Sequence, residues 1–254
     1  MTEPRLLIVA DAHIGGAPAE SEAALLEFLD AAPGMGSALL ILGDLFEFWF
    51  AYSRVIPRRG FRVAASLAKL ARVMPVSMVG GNHDRWGKAF WSEDAGVSYG
   101  RRELELRVGR RRLLALHGDG ITERPGRSSW THRIVGHPLT SAAFGLLHPN
   151  LGFGLVDRLS FLLSRRQSLA ERERYAAGQR RWAESRLAGD PAIDVLVMGH
   201  SHMPALTEPA PGRFYLNPGA WLDEGSYAIV TEDTIELCRF TPAAPPPHPT
   251  AAPR

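Results

Sequence analysis

The chain has 254 residues, 45% hydrophobic and 22% charged, an ordinary globular composition with room for one large α/β domain or two small ones, of which one is expected. A net charge of +2 gives no whole-molecule attraction to nucleic acid, although a sequence pI of about 8.9 leaves room for a local basic face. Cys238 is the only cysteine, so the chain can form neither an internal disulfide nor a thiolate metal cluster, and any metal must bind through oxygen and nitrogen.

In chain order, Leu6 to Ala10 is a short apolar run that reads as a buried strand and ends at Asp11 and His13. Because it meets Asp11 so soon, it is too short for the apolar core of a secretory signal, and a cytoplasmic protein is expected. Ser21 to Ala31 reads as a helix with Ser21 as its cap and Pro33 and Gly34 as its stop. Leu39 to Leu42 repeats the strand pattern and ends at Gly43 and Asp44. Phe61 to Val73 is a second expected helix, and Val76 to Val79 a third strand followed by Gly80, Gly81, Asn82, His83 and Asp84. Arg102 to Val108 and Arg112 to Leu116 read as a hairpin around Gly109 whose second arm runs into His117, Gly118 and Asp119.

Residues 121–191 have helical periodicity, many arginines and apolar clusters at Phe144 to Leu147 and Leu159 to Leu163, the texture of a helical insertion lying over a site. The apolar stretch Ala142 to Leu155 is broken by His148, Pro149 and Asn150 and falls short of the ~20 apolar residues that span a bilayer. Val195 to Met198 is a further strand, delivering Gly199, His200, Ser201 and His202. Phe214 to Leu216, Tyr227 to Thr231 and Thr234 to Phe240 are expected to complete a second sheet. The domain is expected to span 1–241, and the proline- and alanine-rich residues 242–254 are expected to be disordered. Alternation of strands and helices argues for βαβ units, whose ligands gather at the carboxyl ends of strands.

Five clusters sit at such ends: Asp11-Ala12-His13, Gly43-Asp44, Gly81-Asn82-His83-Asp84, His117-Gly118-Asp119 and Gly199-His200-Ser201-His202. Taken singly, each has an ordinary reading as turn chemistry or a surface pair. Their joint occurrence in order, each closing an expected strand, points instead to one polar site. Carboxylate, amide and imidazole donors suit manganese, magnesium, iron or zinc rather than a thiophilic ion. A carboxylate shared by two ions about 3.5–4 Å apart lets both polarise one phosphoryl group and one water, and Asp44 is the natural bridge.

This ordered set resembles the calcineurin-like metallophosphoesterase superfamily over Leu6 to about Phe240. The resemblance implies a four-layer αββα sandwich with a helical insertion over the active site, and two divalent cations, most often manganese. It further implies that Asp11, His13, Asp44 and His202 hold one cation, and that Asp44, Asn82, His117 and His200 hold the other. His83 would stabilise or protonate the leaving oxygen, and Asp84 would orient its imidazole.

Gly43-Asp44-Leu45-Phe46-Glu47 with Phe48-Trp49-Phe50, and Gly219-Ala220-Trp221 after the last histidine cluster, are similar to the UDP-2,3-diacylglucosamine hydrolases. That likeness implies a nucleotide-sugar lipid substrate, release of UMP and peripheral contact with the inner membrane. Arg165 and Arg166 are candidates for a diphosphate or anionic headgroup, against a simpler reading as a solvated helix face. Trp49 and Trp221 are candidates for stacking on uracil, against a reading as core or rim packing. The best-known branch carries arginine directly after the asparagine ligand, where this chain has His83, so a sister branch acting on another nucleotide or lipid phosphate stands as an alternative. A nuclease should bring a basic stripe that the modest charge does not supply. A scaffold that kept only the fold should show eroded ligands, and all seven positions are filled.

Overall fold

The computed structural model describes residues 3–87, 89–121, 137–163 and 168–243. Leu6–Val9 forms β1, followed by α1 (Ala19–Met35), β2 (Ala38–Ile41), α2 (Phe61–Leu70) and β3 (Val76–Val79). A π-helical turn at Phe90–Asp94 leads to β4 (Ser98–Gly100). Next come β5 (Glu103–Val108) and β6 (Arg111–Leu116), an antiparallel hairpin turning at Gly109. The described helices of the insertion are α3 (Pro138–Leu146), α4 (Pro149–Leu163) and α5 (Leu169–Gly189). The chain then forms β7 (Val195–Met198), β8 (Ala205–Ala210), β9 (Arg213–Asn217), β10 (Ser226–Val230) and β11 (Ile235–Arg239).

The strands form two sheets, ordered β11-β10-β1-β2-β3-β4 and β5-β6-β7-β9-β8. β1 to β4 are parallel, as are β6, β7 and β9, whereas the remaining strands pair antiparallel. Alternation of side chains along each strand explains the layers. Leu6, Ile8, Leu40, Leu42 and Val79 from the first sheet meet Leu113, Ala115, Val195, Val197 and Leu216 from the second. The opposite face of the first sheet, Leu7, Val9, Leu39 and Ile41, packs on Leu25, Phe28 and Leu29 of α1 and on Val63 and Leu67 of α2. Leu114, Leu196 and Met198 pack the outer face of the second sheet on Ala183 and Leu187 of α5. The order of layers is therefore αββα. Strands covered on both faces favour apolar residues at every position, which is why β1, β2 and β7 are continuous apolar runs and β3 is interrupted only by Ser77.

Two expectations are corrected. Tyr227 to Thr231 and Thr234 to Phe240 lie in the first sheet, not the second, because β10 takes the open edge of β1 with Leu6 opposite Val230. The first helix starts before Ser21 and runs through Pro33; Ser21 is not its cap, since its Oγ is buried without a hydrogen-bond partner. Proline forfeits one helical bond, yet Phe28, Leu29 and Ala32 hold the last turns against the sheet, and the Gly36 N–H donates to the Ala32 carbonyl at 2.9 Å. Arg165 and Arg166, and the tail beyond residue 243, lie outside the described residues.

Candidate metal centre

The polar clusters close β1, β2 and β3 of one sheet and β6 and β7 of the other, so the site forms where the carboxyl ends of the two sheets meet. Backbone bonds register neighbouring loops: Asp11 N–H to the Gly43 carbonyl at 3.2 Å, His13 N–H to the Asp44 carbonyl at 2.9 Å and Gly199 N–H to the His117 carbonyl at 3.0 Å. Six described residues other than glycine have positive φ, and five of them are Asp11, His13, Asp44, His200 and His202, with φ from 48° to 66°. Such left-handed backbone is costly for residues with a Cβ, and its concentration here marks a site whose geometry the surroundings impose. At Gly43, φ is 80° and a Cβ would lie 2.5 Å from the Gly81 nitrogen, so only glycine lets these two loops touch.

All seven candidate ligands converge. The His117 Nε2 lies 3.2 Å from Asp44 Oδ2, 3.2 Å from Asn82 Oδ1 and 3.1 Å from His200 Nδ1. On the other side of Asp44, the His13 Nε2 stands 4.0 Å from Asp44 Oδ2, and the His202 Nε2 3.6 Å from Asp11 Oδ1. Asp44 is thus common to both groups. Asp11 also accepts the His200 N–H at 2.8 Å through Oδ2, while its Oδ1 and the His13 Nε2 are buried without hydrogen-bond partners.

Those contacts fit divalent cations. A carboxylate oxygen, an amide oxygen and a second imidazole nitrogen, each within 3.2 Å of the His117 Nε2, are mostly acceptors, and a single proton between them satisfies only one pair. A divalent cation would satisfy all four, and a second would satisfy the orphaned atoms of Asp11 and His13. The donors are oxygen and nitrogen, as hard and borderline ions require.

Hydrogen bonds outside this set fix the rings. A carbonyl can only accept, so the Leu42 carbonyl at 2.6 Å from His117 Nδ1 places the hydrogen there and turns Nε2 to the cluster. His13 Nδ1 donates in the same way to Glu47 Oε2 at 2.9 Å. Burial opposes charge on His13, but the Glu47 bond and the carboxylates of Asp44 and Asp11 prevail and lift it to about 9. Burial likewise opposes charge on His117, yet Asp44 raises it to about 10. His200 is pushed down to about 3 by burial and by His117 beside it. Burial would raise Asp44, but His117 and His83 hold its carboxyl well below the ordinary range. The cavity therefore favours positive charge, proton or cation.

His83 enters the site beside Asp44, its Nε2 4.0 Å from Asp44 Oδ2. Its partner is not Asp84, contrary to the sequence expectation. His83 Nδ1 donates to the Glu47 carbonyl at 2.7 Å, whereas Asp84 is turned beneath the loops, accepting from Gly81 N–H at 2.8 Å and Leu45 N–H at 2.7 Å. Glu47 thus orients both His13 and His83, a role the sequence offered only as a carboxylate three residues beyond Asp44. Gln179 and Asn217 also escaped the sequence reading. Both amides are buried and donate to the Gly199 carbonyl, at 3.3 and 3.1 Å, pinning the loop of His200.

The two tryptophans assigned to uracil are corrected. Trp49 is 0% exposed, packed among Phe46, Phe90 and Trp91, and Trp221 is 1% exposed against Phe28 and Phe240, so neither can stack on a base. Their neighbour Phe48 does reach the insertion, meeting Phe144 of α3 and Phe153 of α4 at 5.6 and 5.9 Å. Phe50 and Tyr52 complete that aromatic seat. Beyond it, Leu139, Leu146, Leu151 and Leu155 are exposed, Leu146 to 89%. None of the described helices is long and apolar enough to cross a membrane.

A profile of the calcineurin-like phosphoesterase family matches residues 4–204. Relatives named UDP-2,3-diacylglucosamine hydrolase include those of Porphyromonas gingivalis, 24% identical over 92% of this chain and 96% of that protein, and of Serratia proteamaculans, 29% identical over 92% and 98%. The Escherichia coli protein of the same name is 28% identical over 92% and 98%. Among solved structures, a dimetal phosphatase from Danio rerio is similar in fold, with a TM-score of 0.50 and 12% identity over 95% of this chain and 100% of that one.

Proposed function

The chain belongs to the calcineurin-like phosphoesterase family and is a metal-dependent phosphoesterase; from that premise we propose that it cleaves the pyrophosphate bond of UDP-2,3-diacylglucosamine, giving UMP and 2,3-diacylglucosamine 1-phosphate. The observation that carries the chemistry is the crowding of Asp44, Asn82, His117 and His200 acceptors beside the orphaned atoms of Asp11 and His13. In this reading Asp11, His13, Asp44 and His202 hold one cation and Asp44, Asn82, His117 and His200 the other, with manganese as the expected ion. Bound there, the cations supply the positive charge that polarises a phosphoryl oxygen and activates water.

The protein's own groups do the rest. Asp44 stands between the two pockets, and its negative charge keeps cationic groups close on both sides. His83, locked through Nδ1 onto the Glu47 carbonyl, turns Nε2 toward the site, where it would stabilise or protonate the departing oxygen. The hydrolase relatives and the exposed leucines of α3 and α4 support a lipid substrate and peripheral contact with the cytoplasmic face of the inner membrane. We take residues 1–241 as one catalytic domain with 121–191 as its cover. His83 in place of the arginine of the best-known branch favours a second reading, another nucleotide or lipid phosphodiester.

Incubation with manganese and UDP-2,3-diacylglucosamine, with a generic phosphodiester in parallel, separates these readings. Release of UMP from the lipid is expected. Cleavage of the generic ester without UMP would end the lipid assignment and keep the enzyme class.

A further inference from the structure

Asn82 follows β3 in the first sheet and His117 follows β6 in the second, so the pocket they share spans two layers that no strand pairing joins. Ties across this seam that end on candidate ligands include His200 N–H on Asp11 Oδ2 and His117 Nδ1–H on the Leu42 carbonyl. Another uses no candidate ligand. Arg85 donates from Nε to the Gly81 carbonyl at 3.1 Å, next to Asn82, and from Nη2 to Asp119 Oδ2, two residues beyond His117. Its own N–H also reaches the Gly81 carbonyl, at 3.1 Å. Both side chains are largely buried, at 15% and 16% exposure. Gly81 packs closely on Asp44, where a Cβ would stand 2.1 Å from Oδ1, and movement of this loop carries Asn82, the next residue, with it.

We propose that Arg85 and Asp119 are a positioning pair that sets the spacing of the Asn82 and His117 loops, and thereby the affinity of that one cation pocket, without touching ion or substrate. The proposal rests on the ligand assignment above. A planar guanidinium can address a carbonyl and a carboxylate at once along fixed directions, which a lysine cannot. The other pocket shares Asp44 but draws Asp11, His13 and His202 from loops that Arg85 and Asp119 do not hold, and has its own partner in Glu47. Groups that hold ligand-bearing elements in place are worth about 10- to 100-fold in metal affinity.

The test is manganese titration by calorimetry of the full chain, Arg85→Gln and Asp119→Asn, with steady-state kinetics and thermal melting alongside. The wild type should bind two ions. Each variant should bind one ion as the wild type does and the second at least tenfold more weakly, with kcat falling more than KM rises, and adding His202→Ala should remove the ion that remains. Two ions at wild-type affinity with a raised KM would overturn the proposal and make Arg85 a substrate contact. Equal weakening of both ions with a lowered melting temperature would overturn it in favour of general packing. A wild type that binds fewer than two ions would bring down the ligand assignment itself, and the pair with it.

Discussion

Raising the pH from 6 to 8 should tighten binding of each cation by about 100-fold. In the protein's own field His13 keeps its proton to about 9 and His117 to about 10, both above this window. Each proposed pocket contains one of them, and each ring must lose a proton from the nitrogen that faces the ion. One proton is therefore displaced per ion, which gives about a tenfold rise in affinity per pH unit. His200, at about 3, is already neutral and releases nothing, and burial shifts His202 downward as well. Calorimetric manganese titrations in buffers of different ionisation enthalpy read the affinity and the proton count together; at pH 7 about two protons should leave for two ions. A flat affinity across the window, or proton release near zero, would refute the claim that buried carboxylates hold these two rings charged. Stability of the metal-free protein should move the opposite way. Both values are raised above the ordinary 6.5, so their stabilising contribution is complete below about 6.5 and is lost as pH rises through about 9 to 10. At saturating metal the loaded protein should show no such loss, because the gain in binding free energy per pH unit offsets it.

Asp84→Ala leaves the buried N–H groups of Leu45 and Gly81 without an acceptor and should cost about 2–5 kcal/mol in urea unfolding; a loss under 1 kcal/mol would place those bonds elsewhere. Trp49→Ala should cost about 3–5 kcal/mol, whereas Trp49→Phe should leave KM for a nucleotide substrate unchanged, and a raised KM would restore base stacking. Phe144→Ala should loosen α3 and α4 from the Phe48–Phe50–Tyr52 seat, speeding amide exchange in both helices while the content of bound manganese stays the same. Exchange as slow as in the wild type would mean that the seat does not hold the helices.

What the sequence made legible was set by locality. β1, β2 and β7 are four-residue apolar runs and β3 differs only by Ser77, and the candidate ligands begin within a few residues of where each strand stops. The pairing of β10 with β1 is a choice among distant edges, and no pattern within Tyr227 to Thr231 encodes it. Asp84 misled because neighbours on a tight turn point to different sides: His83 faces the cleft, and the next carboxylate faces down into the loops. Glu47 meets His13 across 34 residues, a contact created only when the loops after β1 and β2 lie side by side. Trp49 and Trp221 sit next to ligand loops in sequence yet point into the core, a direction that residue type does not carry. Pro33 is a sound local stop signal, overridden by burial of the helix face it should have ended.

The five candidate ligand positions with positive φ carry a consequence for how this protein changes over time. Glycine tolerates that backbone at no steric cost, so a replacement such as Asp11→Gly would shed conformational strain and an expensive interior charge in one step. Activity and robustness are thus set against each other at the same codons. Drift released from selection for turnover would erode these aspartates and histidines first, toward a sturdier but inert descendant.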